Sequence, residues 1–511
     1  MHPDTILFNG NILTLNERHP QASAATIYGE RFSFVGDDPT TLLLAGTRTK
    51  KIDLLGRTVV PGFCDSHIHL VGFGMNLLSQ ADLVGAADID QILARLAQLA
   101  GRTTGWIRGY GFDQTKLSEA RFPTRLELDQ VSRDRPIVIS RVCGHAGVAN
   151  SAAIALLSEA EKSAGEVATG LFTEQALWAI YRYVPPPTED ELEQAILAAA
   201  DVLLKTGITS VQTLLDVPQQ LQGFSRLHRA GKLPIRVVAI PPWSAVDELY
   251  KNGLRTGFGD HWLKIGAAKL FSDGSLGAQT ALLAEPYTDK TDTCGLRIYE
   301  PAELNRRVLD AQNKGFQVAI HAIGDLAVNE TIDAIEYALA NDPKQRDNTY
   351  HRHRIEHASL CSPNAMGRLA KNKIVVTFQP QFVASDTWTP DRVGAARTRW
   401  AYPFKSMIEA GIPATLSSDS PVEFPSAFEC LASAVGRAAW SPEQTLSPMQ
   451  ALQAYCLGSA YAGHVDHQQG SIETGKLADF VVLSSDPSQL GASAIRNLTA
   501  EQVWIGGKRV S

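Results

Sequence analysis

The 511-residue sequence lacks the features that mark several classes of protein. Its six cysteines include no C-x-x-C pair, which argues against a disulfide framework and favours a reducing cytosol. Lys plus Arg number 47 against 54 Asp plus Glu, a formal charge of -7, so nucleic acid is not expected as the main partner. No apolar run reaches the roughly 20 residues that cross a membrane, so no membrane partner is expected.

The start of the chain also lacks a basic segment followed by a long apolar one, so it does not predict a signal peptide, and we expect a cytoplasmic protein. The composition, with 44% hydrophobic and 20% charged residues, predicts a folded chain with a sizeable core. The length fits two to four domains, or one large barrel with additions.

Both ends of the chain are rich in short strands and tight turns. Strand-like segments flank short turns within 5–15, 24–35 and 503–510, which predicts three hairpins. Because the middle of the chain lacks this pattern, we predict one small sheet domain built from residues 1–58 and 466–511.

The middle of the chain alternates β-rich runs with helical patterns, such as 191–205, 302–314 and 327–340. Eight such runs at this spacing predict an α/β protein with a (β/α)8 barrel over residues 59–75 plus 191–465. The β-rich runs are 59–63, 208–214, 235–240, 263–271, 317–323, 354–358, 374–378 and 414–417.

Residues 76–190 do not follow that alternation. Asp88 is an expected N-cap for a helix over 89–100, and a strand is expected over 137–141. A segment of this length between the first two barrel strands predicts an inserted subdomain, and such insertions usually cover the mouth of an active site.

Metal-binding side chains follow several of the predicted strands. His67 and His69 stand two residues apart at a strand end, so both imidazoles face the same side. His321, His357 and Asp419 end three further runs. Because the carboxyl ends of barrel strands converge, we predict a metal site there. Taken singly, each residue has another explanation: a solvent-facing or core histidine, or an aspartate that caps a helix.

Lys269 ends the fourth run. A cation beside a divalent metal is unfavourable unless its charge changes, and reaction with carbon dioxide would convert the lysine to an anionic carbamate. The alternative is a lysine that forms an ion pair with Asp273 or Asp419.

Other histidines receive simpler interpretations. His351 and His353 lie in the polar stretch 341–353, so we expect them to be solvated. His464 and His467 fall in a glycine-rich connection. The segment 274–277 is too short for a phosphate loop and lacks the following Lys-Ser/Thr, and the serines around Asp419 do not form a serine-hydrolase elbow.

The motifs together resemble the amidohydrolase superfamily, and within it amidohydrolase family 3, the group that includes N-substituted formamide deformylases. One departure is visible, since Ser418 and Ser420 stand where Gly and Ala are expected around Asp419. The matching segments are PGFCDSHIHL at 61–70, GHAGVANS at 144–151, KLFSDGSLGAQT at 269–280, AIHAIGD at 319–325, RIEHAS at 354–359, SSDSPV at 417–422 and GSIETGKLAD at 470–479.

The resemblance implies a barrel with a composite β-sandwich from both termini. It implies that His67 and His69 bind the more buried metal, that a carboxylated Lys269 bridges two metals, and that His321 and His357 bind the second. It also implies that Asp419 is both a ligand and the general base. The cofactors expected are one or two divalent ions, zinc first and iron, manganese or cobalt as alternatives, and carbon dioxide for Lys269.

A bound ion would lower the pKa of its water to around 7, and Asp419 would pass the proton to the leaving amine. His145 is a candidate donor to the developing oxyanion or to the substrate, although a Gly-His turn is an equal alternative. Gln379 and Gln381 are candidates to line the pocket or to hold backbone groups. Asp273 is a further candidate beside the substrate, or a support for its loop through a helix N-terminus.

The sequence therefore predicts a hydrolase of C–N bonds that acts on a small N-acyl, N-formyl or cyclic amide. Two alternatives stay open: a deaminase of a nitrogen heterocycle, which usually needs one metal and no lysine ligand, and a non-catalytic ligand-binding regulator. A homodimer is compatible with the sequence, although no feature marks an interface.

Overall fold

The computed structural model of the protein describes residues 2–437 and 440–511. Met1 and residues 438–439, which fall in the predicted terminal and barrel domains, lie outside the described residues. Within these ranges the chain is a mixed α/β structure whose strands form five sheets, two of them parallel throughout. Among the described residues, no helix combines the length and apolar character that a membrane crossing requires.

The two parallel sheets contain the predicted β-rich runs. The strands of the first sheet, in spatial order, are Leu263–Ile265, Arg236–Ile240, Ile208–Leu214 and Phe63–Ile68. Those of the second sheet are Ala268–Phe271, Val318–Ala322, Arg354–His357, Val375–Phe378 and Ala414–Leu416. The predicted strand over 263–271 is thus divided between the two sheets.

Backbone hydrogen bonds join the two parallel sheets on both sides. On one side Lys269 N donates to Pro241 O over 2.8 Å. On the other side Asp419 N donates to His67 O over 2.9 Å, and His69 N donates to Ser420 O over 2.8 Å. The residues at these two junctions are the ones that the sequence marks for metal chemistry.

Helices alternate with the parallel strands and pack on them through one large apolar cluster. The predicted helices are confirmed with small shifts at their ends, for example Glu189–Lys205, which Thr188 and Glu191 begin with a capping box. The helices of this part are Leu70–Ser79, Glu189–Lys205, Gln220–Arg229, Val246–Lys251, Pro301–Asn313, Asp325–Ala340, Asn348–His351, Pro363–Lys371, Phe382–Ser385, Thr389–Thr398, Phe404–Glu409, Ala427–Val435, Pro448–Gln453 and Ser459–Ala462.

A mixed five-stranded sheet, here called the 81–173 sheet, lies between the first two parallel strands in the chain. Its strands, in spatial order, are Leu171–Thr173, Ala146–Ala149, Ile137–Arg141, Ile107–Phe112 and Ala81–Asp82. Its helices are Ile89–Ala100, Arg125–Val131, Ser151–Ala155, Glu159–Ser163 and Glu174–Tyr181. The predicted helix over 89–100 is confirmed together with its cap, because the Asp88 side chain accepts a bond from Gln91 N. The sheet has apolar clusters of its own.

Two further sheets combine strands from both ends of the chain. The first contains Arg31–Gly36, Ala24–Tyr28, Thr5–Phe8 and Lys50–Asp53, and the second contains Lys508–Arg509, Ala500–Ile505, Phe480–Leu483, Thr58–Pro61, Asn11–Leu13 and Gln21–Ala22. A buried cluster that includes Phe32, Val59, Phe480 and Trp504 lies between them. The helices of this part are Asp38–Leu42 and Ala492–Arg496.

The structure corrects two strand predictions at the N-terminus. The hairpin over 5–15 is wrong, because Thr5–Phe8 pairs in the first of these sheets and Asn11–Leu13 in the second. The strand over 59–63 is wrong in its bounds, because Thr58–Pro61 pairs with Phe480–Leu483, and Phe63–Ile68 begins the parallel sheet. The predicted hairpins over 24–35 and 503–510 are confirmed.

Candidate metal centre and active-site cavity

Three of the predicted ligands meet at the carboxyl ends of the parallel strands. His67, His357 and Asp419 each offer a ligand atom, and these atoms all lie within 4.8 Å of one another. His67 Nε2 is 3.2 Å from Asp419 Oδ1. All three residues are buried. Two imidazoles and a carboxylate at this spacing fit a divalent ion of the zinc type.

His69 and His321 lie around that group. His69 Nε2 is 3.7 Å from Asp419 Oδ1, and the His69 side chain is 24% exposed. The His321 ring centroid lies 4.5 Å from that of His357. The structure therefore brings four of the predicted imidazoles to one place, although the tightest group contains only two of them.

Each of these histidines has one ring nitrogen held by an acceptor. The Nδ1–H of His69 donates to Asp216 over 2.6 Å, and the Nδ1–H of His357 donates to Gln379 Oε1 over 2.8 Å. His67 Nδ1 is bonded to Glu356, and His321 Nε2 donates to Gly274 O over 2.9 Å. The acceptor orients each ring and leaves the other nitrogen unbonded to it, and that nitrogen can serve as a metal ligand in the neutral form of the imidazole.

Lys269 is buried beside this group, at 5% exposure. Its Nζ has no hydrogen-bond partner in the described part of the chain, and it lies 4.7 Å from the Phe271 ring centroid. Burial lowers the pKa of the Lys269 amine to about 8, against the opposing charges of Glu356 and Asp419. Because Nζ has no hydrogen-bond partner among residues 2–437 and 440–511, the structure does not form the alternative ion pair with Asp273 or Asp419.

A fully buried ion pair stands behind His67, and sequence reasoning missed it. Glu356 is bonded to Arg354, whose Nη2 lies 2.8 Å from Glu356 Oε2. The same guanidinium donates to Ser66 O over 2.7 Å and to Thr377 Oγ1 over 2.9 Å. The pKa of the Glu356 carboxyl is held well below its usual range, because Arg354 and His67 outweigh the effect of burial. Glu356 is therefore an ionised acceptor that orients His67.

Asp419 is held in position by its own backbone and by Asp65. Its φ of 56° is left-handed, and Asp65 accepts a bond from the Ser418 hydroxyl over 2.6 Å. Ser418, which replaces the expected glycine, thus anchors the turn. Burial would raise the pKa of Asp419, but the charge of His67 and its hydrogen bond lower it overall, so Asp419 is ionised at neutral pH.

Gln379 and Asp273 both use their polar atoms within the protein. Gln379 Nε2 donates to Ser417 Oγ over 2.9 Å, while its oxygen accepts the bond from His357. Asp273 accepts three backbone bonds, from Leu282, Ile323 and Gly324. Gly324 immediately precedes the helix Asp325–Ala340. Burial raises the pKa of Asp273 to about 7.

His145 reaches the site from the 81–173 sheet. Its ring centroid lies 5.5 Å from that of His321, and its Nδ1 is 2.9 Å from Glu174 Oε2. Burial opposes the charged form, but the hydrogen bond and charge of Glu174 raise the pKa of His145 to about 9. Glu174 also accepts a bond from Thr280 over 2.6 Å. His145 therefore offers a fixed, protonated donor at neutral pH.

A cavity of about 350 Å³ opens above these residues. His145, His321, His357 and Asp419 line its floor, and its other walls come from the 81–173 sheet and from the loops after the parallel strands. A concave pocket with few, convergent polar groups is typical of a small-molecule site.

Comparison with known proteins agrees with this geometry. A model of the amidohydrolase family matches residues 50–511. The chain belongs to amidohydrolase family 3. The resemblance inferred from the motifs is thereby confirmed, and family membership makes the protein a metal-dependent hydrolase.

The relatives extend over most of the chain. YtcJ, a presumed amidohydrolase of Bacillus subtilis (strain 168), is 32% identical over 490 residues, 90% of each chain. The N-substituted formamide deformylase of Arthrobacter pascens is 26% identical and covers 99% of this chain and 97% of its own. The crystal structure of an uncharacterized metal-dependent hydrolase from Pyrococcus furiosus is 34% identical, with a TM-score of 0.79, and the match covers 95% of this chain and all of that one.

Proposed function

We propose that this amidohydrolase cleaves a C–N bond in a small N-acyl, N-formyl or cyclic amide. The observation that carries the proposal is the convergence of His67, His357 and Asp419 around one point, beside a buried lysine amine without a partner. Such a set is costly to bury unless an ion completes it. The similarity to a formamide deformylase over nearly the full chain supports the choice of bond.

We propose that one or two divalent ions occupy this place, with zinc as the first choice and iron, manganese or cobalt as alternatives. The residues that would hold them are His67, His69, Lys269, His321, His357 and Asp419. When bound, the ion supplies Lewis acidity that polarises a carbonyl and acidifies water. The donor set fits such an ion, because each of the four imidazoles is oriented through one ring nitrogen, which leaves the other as a potential ligand, and Asp419 is ionised.

The unpartnered amine of Lys269 supports carboxylation by carbon dioxide. In this reaction the ammonium first loses one proton, the neutral Nζ forms a bond to the carbon of carbon dioxide as one C–O π bond breaks, and Nζ loses a second proton to solvent. The product is a carbamate with one negative charge shared by two oxygens. Carboxylation would replace a buried cation by an anion, whose negative charge would attract the expected divalent ions held by the imidazoles.

Asp419 and His145 would have different catalytic roles. Asp419 would accept a proton from the attacking water and deliver it to the leaving nitrogen. The imidazolium of His145 would donate to the oxyanion that develops on the scissile carbonyl. Gln379 and Asp273 would act by positioning His357 and the loop before Asp325–Ala340, because their polar atoms are already bonded to the protein.

The architecture that fits this function is a closed (β/α)8 barrel with two additions. The hydrogen bonds that join the parallel sheets on both sides support closure. A composite β-sandwich would contain 1–58, 466–511 and the strand Thr58–Pro61, and residues 76–190 would cover the mouth of the site.

The test is a panel of N-formyl, N-acetyl and cyclic amides with metal-replete enzyme, with amine release and metal content measured. We expect hydrolysis of at least one class, and loss of bound metal and activity in Lys269→Ala. Lys264→Ala, a half-buried lysine on the preceding strand, is the matched control and should keep both. Unchanged metal and rate in Lys269→Ala would favour the deaminase alternative, and hydrolysis of no amide would contradict the proposal.

A further inference from the structure

Arg141 is a buried guanidinium in the wall of the active-site cavity. It ends the strand Ile137–Arg141 and lines the same cavity as His145, which follows it by four residues. Its side chain is only 3% exposed. A buried charge is costly without hydrogen-bond partners. The bonds that Arg141 makes therefore show which of its donors are already used within the protein.

The neighbouring loop fixes two of the three nitrogens of this guanidinium. Nε donates to Gln114 Oε1 over 2.7 Å, and Nη2 donates to Asp113 Oδ1 over 3.0 Å. Within residues 2–437 and 440–511, Nη1 bonds to no nitrogen or oxygen acceptor, and the Cys143 thiol is the other hydrogen-bond neighbour of the guanidinium. Because the guanidinium is planar and clamped at two points, the direction of the Nη1 donors is fixed before any ligand arrives.

The loop opposite Nη1 packs closely on the guanidinium. A Cβ at Gly277 would lie 2.9 Å from Nη1, which is closer than real contacts allow. The Cys143 thiol also lies near, since the charges of Arg141 and His145 and a hydrogen bond with Arg141 lower its pKa against the effect of burial. A glycine at position 277 therefore keeps a side chain from crowding Nη1.

Another wall of the same cavity is apolar. Phe73, Leu77, Val84 and Phe424 line it, and the last three are 43%, 52% and 56% exposed. The rings of Phe73 and Phe424 meet edge to face at 6.1 Å. Large apolar side chains that stay exposed on a cavity wall mark a surface for an apolar ligand group.

We propose that Arg141 is a specificity-determining residue, whose Nη1 binds an acceptor oxygen that the substrate carries outside its scissile amide. The oxygen belongs to a carboxylate or to a second carbonyl, and an apolar group of the same substrate packs on the wall formed by Phe73, Leu77, Val84 and Phe424. The inference rests on the proposed amide hydrolysis for the position of the scissile bond, but the binding step stands apart from that reaction.

Three compounds test the acceptor oxygen outside the scissile amide. They are racemic N-formylphenylalanine, its carboxamide, and N-formyl-2-phenylethylamine, which carries hydrogen in place of the carboxyl or carboxamide group. Dissociation constants are measured by calorimetry on metal-replete enzyme, and KM and kcat are measured where turnover occurs. We expect the carboxylate, the carboxamide or both to bind roughly ten-fold or more tightly than N-formyl-2-phenylethylamine. Preference for the carboxylate alone identifies an anion, and equal preference for both identifies a carbonyl oxygen.

Two variants test the residue. Arg141→Met should abolish the preference through KM, with little change of kcat on N-formyl-2-phenylethylamine. Gly277→Ala keeps the ion pair with Asp113 and places a methyl group against Nη1, so it should weaken the same preference even if Arg141→Met does not fold. Arg133→Met, an exposed arginine of the same segment, should behave like the wild type.

Equal binding of all three compounds by the wild type would overturn the inference, and so would a preference that survives in both variants. Binding with the expected preference, together with hydrolysis of no amide in the wider panel, would instead contradict the proposed function and leave the role of Arg141 standing.

Discussion

Two groups of histidines, all buried except the partly exposed His69, lie at opposite ends of the parallel strands. At the carboxyl ends stand His67, His69, His321 and His357, and at the amino ends stand His351 and His353, whose rings stack at 5.2 Å. Burial lowers the pKa of both His321 and His353 well below the usual value. Burial and pKa therefore do not distinguish His321 from His353.

The ring nitrogens distinguish His353 from the histidines at the carboxyl ends, whereas His351 bonds through Nε2 to Asp342. His353 Nδ1 accepts a bond from Val318 N over 3.1 Å, and its Nε2 lies 3.0 Å from Gln312 Oε1. Both nitrogens of His353 are thus used within the fold. At the carboxyl ends, each histidine bonds through one nitrogen to a fixed acceptor, and the other nitrogens of His67 and His69 face Asp419. The contrast with His353 is consistent with the proposal that the first group holds a metal ion, whereas His353 is used within the fold.

The largest effect is expected at Asp419. Asp419→Asn should lower amide hydrolysis by about 10²–10⁴-fold, because a proton acceptor is lost, while asparagine tolerates the left-handed backbone. Steady-state kinetics on the best substrate measures this. Asp342→Asn, beside His351 at the amino ends, is the matched control and should keep its rate. Equal losses in both variants would contradict the contrast between the two ends.

His353 should contribute to the free energy of unfolding and not to metal binding. His353→Ala leaves Val318 N–H without its partner and removes buried volume, which should cost roughly 2–4 kcal/mol of unfolding free energy. Chemical denaturation measures the loss, and elemental analysis should find the metal content of the wild type. Loss of metal in this variant would indicate that the amino ends of the parallel strands contribute to the metal site, and would contradict the contrast between the two ends.

Glu356 should set metal affinity without being a ligand. Glu356→Gln weakens the acceptor that orients His67, so metal affinity should fall by about 10–100-fold. Competition with a chelator of known affinity measures it. Glu330→Gln, an acidic residue that pairs with Arg297 near the surface, should show no change, and an unchanged affinity in Glu356→Gln would refute the orienting role.

The smallest effect concerns the pair of His145 and Glu174. The folded-state pKa of His145 is raised from 6.5 to about 9, so the pair stabilises the protein fully below pH 6.5, and this contribution is lost as the pH rises through about 9. In metal-free protein, Glu174→Gln should lower Tm by roughly 1–3 °C at pH 6 and not above pH 10. A difference that is independent of pH would exclude a charged pair.

The place of the metal centre could be predicted from the sequence, because strand ends alone order His67, His321, His357 and Asp419 in space. The residues that orient them were missed, because Glu356 and Asp216 meet their histidines across long stretches of chain. A signal existed for Glu356, since Arg354 and Glu356 stand two residues apart on the predicted barrel strand over 354–358, and opposite charges on one face of a buried strand indicate a buried pair.

Other errors have a common cause. His351 and His353 were expected to be solvated because polar residues surround them in the chain, yet both are buried by the strands and loops that pack over them. The hairpin over 5–15 failed because each of its strands finds a better partner in a different sheet. Local patterns predict elements well, as for Ile89–Ala100 after Asp88, but partners are chosen by tertiary packing.

The most direct test of the metal centre is anomalous diffraction from crystals of active enzyme, at the absorption edges of zinc, iron, manganese and cobalt. We predict one or two peaks among His67, His69, His321, His357 and Asp419, continuous density for a carboxylated Lys269, and no peak between His351 and His353. Absence of any peak beside Asp419 in active crystals would contradict the account.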